Sequence, residues 1–338
     1  MPLNSMIVLV LLLLAAMMVR AEDSARRGEQ RDEGAAVSRL ESKAQAGDAT
    51  AQNNLGVHYL KGRGVIQDPA RARALFEAAA EQHLPGAMFN LGTVYWRGYG
   101  VAAEPSRALE WFLRAAALDD REAQFSLGVM YTRGQGTPSD LRLAEEWFEK
   151  AANAGMAAAQ FNLAMLLLQG SASNEAKALE WLEKAAEQGY KRANLAIAKL
   201  DLSHDDDSAR MTHAATLLRE LAHSGDPEGQ MQFGLMNLFG KGLPLDEGEG
   251  RFWLRESALQ GLVAAQVSLS SVFAQGIGTA PDPVEAHAWL SVAAERDEKL
   301  KSPLTESAAA LTPEQRDQAA HLAQTLREKL AAHDSPTD

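Results

Sequence analysis

Leucine–glycine pairs recur along this chain at a fixed distance, and no other feature narrows its fold so far. Leu55-Gly56, Leu91-Gly92 and Leu127-Gly128 lie 36 residues apart. The register continues through Leu163-Ala164, Ile197-Ala198, Phe233-Gly234 and Leu269-Ser270 at intervals of 36, 34, 36 and 36. A second row, Leu75, Trp111, Trp147, Trp181, Leu217, Trp253 and Trp289, keeps the same spacing and takes in five of the six tryptophans. A period of this size is the signature of stacked repeats.

A third row, Ala72, Ala108, Ala144, Ala178, Ala214, Gly250 and Ala286, lies three residues before the second. Positions i and i+3 share a helix face, so alanine and tryptophan are expected in one seam, with the in-register tryptophans as core. Each repeat then reads as two antiparallel helices, A and B. In the second repeat helix A runs from Ala87 to Arg97 and helix B from Pro105 to Leu118. Proline is tolerated at the start of B, where the backbone N–H lacks a helical partner. Gly155, Gly189, Gly225 and Gly261 are placed to end successive B helices as left-handed caps.

The expected fold is all-α: a right-handed α-solenoid of helix-turn-helix repeats, seven units with helical caps. The units are 48–83, 84–119, 120–155, 156–189, 190–225, 226–261 and 262–297, together 48–297. Residues 35–47 read as an N-terminal capping helix. A C-terminal capping helical region is expected over 298–333, where Thr312, Pro313 and Gln315 spell a capping box, and 334–338 form a tail.

The stretch LGTVYWRGYG ends in Gly98 and Gly100, a pair that resembles a phosphate-cradling loop. A phosphate loop occurs once, between a strand and a helix. Here Gly62, Gly134, Gly170, Gly240 and Gly276 share the offset of Gly98, and Gly64, Gly136, Gly242 and Gly278 that of Gly100. The pair is a corner that follows a helix, where positive φ ends it.

Upstream of the repeats the chain changes character. Met6 to Val19 is an unbroken apolar run of 14 residues, short for a bilayer span and suited to a signal-peptide core. Val19-Arg20-Ala21 supplies a cleavage site, so 1–21 is expected to be a signal peptide and the mature chain periplasmic or secreted, with no stable membrane span. MPLNSM lacks Lys and Arg, which leaves an uncleaved anchor as the alternative. Residues 22–34 are expected to form a charged flexible linker. The net charge of −12 argues against nucleic acid as a partner, and loss of Arg20 with the leader takes it to −13. With no cysteine, disulfides and thiolate chemistry are excluded.

The rows resemble the Sel-one-like repeat family, a branch of the tetratricopeptide-like helical repeats. The second repeat supplies Ala87, Leu91, Gly92, Tyr95, Gly98, Gly100, Val101, Ala108, Trp111, Phe112, Ala115 and Ala116. The third supplies Ala123, Leu127, Gly128, Tyr131, Gly134, Gly136, Ala144, Trp147, Phe148, Ala151, Ala152 and Gly155. The resemblance implies adaptor and scaffold roles in the bacterial periplasm or envelope, at times beside peptidoglycan or exopolysaccharide machinery, and no single reaction. The fifth repeat departs from the pattern, with Asp201 in the tyrosine row, His204 and Asp205-Asp206-Asp207 in place of the glycine turn, and Leu217 for tryptophan. Asn237 enters the tyrosine row of the sixth. Looser packing is expected there.

The residue before each Leu-Gly pair is small and polar: Asn54, Asn90, Ser126 and Asn162 in the first four repeats. Two helical turns on come Lys61, Arg97, Arg133 and Gln169. Stacking would set these side together as a partner-binding groove whose cations suit a carboxylate-bearing or acidic protein. The competing explanation is that cations at a helix C-terminus answer its dipole. Trp96, outside the tryptophan row, is the indole to test for sugar stacking. Asp201, His204, Asp205, Asp206, Asp207 and His213 include cation-ligand types, but without a calcium loop's spacing they read as a solvated acidic turn. His58 reads as a half-buried histidine.

No zinc-protease, nucleophile-elbow or Ser-x-x-Lys signature is present, so no catalytic residue, metal or cofactor is assigned. The expected function is an exported protein–protein interaction scaffold that binds its partner on a concave helix A face. The alternatives are a peptidoglycan- or polysaccharide-binding envelope protein and a cell-wall-related or β-lactam-binding hydrolase.

Overall fold

The structure is a computed structural model that describes residues 34–170, 174–204 and 206–334. The leader with its cleavage site, the linker up to residue 33, Asp205 and the tail beyond residue 334 lie outside the described residues. The described secondary structure is helical throughout. Contacts divide the chain into two compact bodies, one ending at Gln169 and one beginning at Gly170.

The N-terminal body opens with α1 (34–45), one residue before the expected start of the capping helix at 35. There follow α2 (Ala49–Lys61), α3 (Pro69–Glu81), α4 (Pro85–Arg97), α5 (Pro105–Ala116), α6 (Arg121–Arg133), α7 (Leu141–Asn153) and α8 (Ala157–Gly170). The even-numbered helices from α2 to α8 are the A helices. Each pairs with the next helix in the hairpins α2/α3, α4/α5 and α6/α7, and α3 and α5 also pack on the next A helix. Aspartates start many of these helices: Asp48 accepts from Ala51 N at 2.7 Å and Asp120 from Ala123 N at 2.8 Å.

The C-terminal body holds α9 (Glu175–Glu187), α10 (Lys191–Leu202), α11 (Ser208–His223), α12 (Pro227–Phe239), α13 (Glu247–Leu259), α14 (Val263–Gln275) and α15 (Pro283–Ala294). A short helix α16 (Lys301–Ala309) leads to α17 (Pro313–Asp334), which lies against α15. Thr312 Oγ1 accepts from Gln315 N at 3.2 Å while Gln315 Oε1 accepts from Thr312 N at 3.0 Å, a reciprocal capping box. Ala319, Ala323, Leu326 and Leu330 form the buried stripe of α17.

The core corrects one reading of the sequence. Its deepest row is the residue after the tryptophan position: Phe76, Phe112, Phe148, Leu182, Leu218 and Leu254 are at most 2% exposed. Trp111, Trp147 and Trp253 are half-buried, while Trp181 and Trp289 are buried. The reason is helical geometry. At 3.6 residues per turn, position i+4 from the alanine is turned about 40° from it and position i+3 about 60° the other way. The i+4 residue therefore meets helix A and the indole lies nearer the rim, except in the last repeat, where Trp289 is 0% and Leu290 9% exposed. Several rim indoles carry a cation from the next turn: Arg114 sits 4.6 Å from the Trp111 ring and Lys150 3.9 Å from Trp147.

The glycine of each Leu-Gly pair exists for that deep row. A Cβ on Gly56 would lie 2.6 Å from a Phe76 ring carbon, and one on Gly128 2.5 Å from Phe148. At the corner, Gly98 has φ 72° and its N–H bonds Val94 O at 2.9 Å, which ends α4. Gly100, φ 68°, lies against the preceding B helix, where an added Cβ would be 2.7 Å from Pro69 Cβ.

Candidate functional site

Lys61, Arg97 and Arg133 are the last residues of α2, α4 and α6, and Gln169 lies in the last turn of α8. All four are exposed and belong to the N-terminal body. Lys61 and Arg133 make no ion pair among the described residues, and Arg97 lies over the Trp96 ring at 5.1 Å. The cations elsewhere in that body are largely committed, as in Arg71–Glu41 at 3.9 Å and Arg142 stacked in sequence on Glu146 at 2.5 Å. What the row offers is therefore positive charge and N–H donors that meet no carboxylate among the described residues, at helix ends that already favour a cation.

The small polar row behaves differently. Asn54 is exposed, Asn90 and Asn162 are half-buried, and Ser126 is 7% exposed. Asn90 Nδ2 donates to Asn53 Oδ1 at 2.8 Å and Asn53 Nδ2 to Asn54 Oδ1 at 3.4 Å, so the asparagines link α2 to α4. Asn162 Nδ2 donates to Ala158 O at 2.7 Å and Ser126 Oγ to Glu122 O at 2.8 Å, each inside its own helix. Trp96 is half-buried, its Nε1 donates to Gln135 Oε1 at 3.3 Å, and it meets Phe112 edge-on at 5.9 Å. One face of this indole is under Arg97, which leaves less of it for a sugar.

Two polar rows escaped the sequence reading. Gln52 and Gln160, and likewise Gln230 and Gln266, donate to the carbonyl eight residues earlier, as in Gln160 Nε2 to Ala152 O at 3.2 Å. They tie each A helix to the C-terminus of the preceding B helix, whose last carbonyls lack helical partners. Their register was the available signal: Gln230 and Gln266 lie 36 residues apart, and Gln52 and Gln160 lie 108 apart, three times that interval. The second row is a stack: Tyr59 Oη donates to Glu41 at 3.0 Å beneath Arg71, 4.4 Å from its ring, and Tyr95 faces Glu77 at 3.5 Å beneath Arg107 at 4.1 Å. Burial pushes the Tyr59 phenol above its ordinary value.

In the fifth repeat Asp201 takes the tyrosine's place, and it is not solvated. It is 3% exposed, accepts from Arg210 Nε at 2.9 Å and lies 2.7 Å from His213 Nδ1. Arg210 also donates to Glu175 at 2.9 Å, and His204 stands 3.5 Å from Glu175. The hydrogen bond to Asp201 is the leading cause that holds the Arg210 guanidinium above its ordinary value. Asp207 caps α11, accepting from Ala209 N at 2.9 Å and Arg210 N at 3.1 Å. The acidic group is thus divided between a buried ion pair and a helix cap, and the described residues contain no cluster arranged to hold a metal ion. Where looser packing was expected, the α10/α11 pair keeps Leu218 fully buried. His58 Nδ1 lies 2.7 Å from Arg63 O, a role in closing its own turn.

The repeat geometry has a counterpart among known families. A model of the Sel1 repeat matches residues 49–84, 85–120, 121–156, 157–190, 227–262 and 263–298. The chain belongs to the Sel1 repeat family. The stretch that the Sel1 pattern skips, 191–226, is the repeat with Asp201 and Arg210, which nevertheless forms the helices α10 and α11. A solved Sel1 repeat protein from Oxalobacter formigenes is similar at 26% identity, covering 91% of this chain and 90% of that one with a TM-score of 0.65. The protein c5321, a protective antigen present in uropathogenic Escherichia coli strains, is similar at 29% identity over 89% of this chain and 73% of that one, with a TM-score of 0.53. No curated protein matches the chain. Sel1 repeats mediate protein–protein interactions, and no helix among the described residues is long and apolar enough to cross a membrane.

Proposed function

We propose that the chain is an exported, non-enzymatic scaffold that takes a carboxylate-bearing protein partner on the A-helix face of its N-terminal body. The observation that carries the proposal is the row Lys61, Arg97 and Arg133: three exposed cations at one repeat position, with no ion pair among the described residues, in a chain of net charge −12. Asn54 and Asn90 flank the row as polar contacts, and Gln169 continues it. Ser126 and Asn162 position the face through their own helices. Export rests on the apolar run from Met6 to Val19 and agrees with the antigenic character of the E. coli relative.

The test is in vivo cross-linking in the envelope with the native chain and with Lys61, Arg97 and Arg133 all changed to Glu, read by mass spectrometry. A partner that is lost from the variant supports the reading. Equal capture by the two chains removes the groove, and recovery of the chain from the cytoplasm alone removes export.

A further inference from the structure

Successive B helices face each other across one repeated pair of positions. Glu41 on α1 meets Arg71 on α3 at 3.9 Å, and Arg255 on α13 meets Glu285 on α15 at 3.2 Å with the charges exchanged. The sequence keeps opposite charges at these two positions in Glu77 and Arg107, in Glu149 and Lys177, and in Arg219 and Glu249, and puts Leu113 and Leu143 there once. One pair breaks the pattern. Glu183 on α9 is matched by His213 on α11, and His213 Nδ1 lies instead 2.7 Å from Asp201. Glu183 is exposed and forms no ion pair among the described residues. Beside it, between α9 and α11, is a cavity of about 640 Å³ whose walls include Ala176, Leu179, Glu183, Ala209 and His213. At the same repeat position around Tyr59 and Arg71 the cavity measures about 450 Å³. Two replacements make the extra room: aspartate stands where the first repeat has a tyrosine ring, and histidine where it has the longer arginine.

We propose that this cavity is a binding site for an arginine side chain of a partner protein, whose guanidinium supplies the missing half of the pair with Glu183. The first repeat shows the arrangement within the chain: Glu41 receives the Arg71 guanidinium at the equivalent position. Ala176, Leu179 and Ala209 give the methylenes of the incoming side chain an apolar wall. Charge has the matching sign. Glu175, Glu183 and Asp201 line the cavity against the single guanidinium of Arg210, so an added cation is attracted. Sel1 repeats mediate protein–protein interactions, and the cavity suits a side chain better than free arginine. The α-carboxylate of the free amino acid would need a cation, and Arg210 is already held by Asp201 and Glu175 at 2.9 Å each.

The cavity is open on the chain as it stands, since Ala176, Glu183, Ala209 and His213 are all exposed. The neighbouring residues outside the described ones, Ser171, Ala172, Ser173 and Asp205, include no cation that could fill it. A second copy is a poor occupant, because each chain carries a net charge of −12 and repels its like. The site belongs to the C-terminal body and stands or falls without the Lys61 row.

The probe is the capped tripeptide acetyl-Gly-Arg-Gly-amide, titrated calorimetrically into the full-length protein. It should bind saturably and about tenfold more tightly than the same peptide with citrulline, the uncharged isostere of arginine. Glu183→Gln should weaken binding about fivefold or more, while Glu180→Gln, an exposed acid of α9 outside the cavity walls, leaves it unchanged. His213→Arg gives the chain its own cation opposite Glu183, as in the first repeat, and should weaken binding about as much with an unaltered circular dichroism melt. Absence of saturable binding, or equal binding of arginine and citrulline, overturns the proposal. So does equal weakening by Glu180→Gln and Glu183→Gln, which marks a general pull of an acidic chain, and so does full binding by the His213→Arg chain. Free arginine binding more tightly than the capped peptide assigns the site to a small molecule. Tighter probe binding after Arg26→Ala, Arg27→Ala and Arg31→Ala together assigns it to the chain's own upstream arginines, and either result also overturns the proposal.

Discussion

Gly92 and Phe112 fill one space: a Cβ on the glycine would stand 2.7 Å from two carbons of the phenylalanine ring. Gly92→Ala should therefore destabilise the chain by about 1–3 kcal/mol, the usual cost of overpacking, although alanine is the better helix former. Phe112→Leu in the same chain should recover part of that loss, since Leu218 shares a core with Ala198. A double-mutant cycle by urea denaturation measures the coupling, and simple additivity of the two losses would contradict the shared space.

His83 and Asp119 occupy the position that Gly155, Gly189, Gly225 and Gly261 hold in later repeats, and both have φ 60°. A left-handed backbone costs an L-residue roughly 1–2 kcal/mol, less for Asp. His83→Gly should raise stability by about 1 kcal/mol and Asp119→Gly by less, read as a shift of the denaturation midpoint.

Arg210 is the main partner of a carboxylate that is only 3% exposed. Arg210→Met leaves Asp201 with His213 alone and should lower stability by about 3 kcal/mol, as loss of one member of a buried pair does. Asp201→Asn with Arg210→Met should cost less than the single change, because the stranded charge is gone. Equal losses would show that Asp201 is solvated in the folded chain.

His287 faces Ser307 Oγ at 3.1 Å, and burial, then the nearby Arg316, hold its imidazole below the ordinary value of 6.5. The folded chain thus takes this proton less readily than the unfolded chain. Above pH 6.5 the two states are alike; as pH falls below it the unfolded state is protonated first, and stability drops until the folded value is passed. His287→Gln should flatten that part of the stability–pH profile, and an unchanged slope would exclude this histidine as its source.

The Leu-Gly rows made the hairpins legible because each glycine answers a local demand, ring packing or positive φ, that recurs with the repeat. The tryptophans were read correctly at Trp181 and Trp289 and too deep at Trp111, Trp147 and Trp253, because spacing does not separate neighbours such as Trp111 and Phe112, which burial does. The Asp201–Arg210 pair could not be read at all. By register Arg210 falls on the cap position of Asp246 and Asp282, but α11 starts a turn early behind Asp207 and draws Arg210 into the helix. Lys61, Arg97 and Arg133 were legible as a row, while the engagement of Asn90, Ser126 and Trp96 depends on rotamers that spacing does not encode.

The tight fit between Gly92 and Phe112 has an implication for how such chains change length. Ring and gap lie 20 residues apart on one hairpin, so a duplication or deletion of a complete repeat copies or removes both together. Recombination inside the corner would instead pair one repeat's phenylalanine with another's alanine and jam the seam. Growth by whole repeats is thereby tolerated, and the interior itself filters out the mismatched joins.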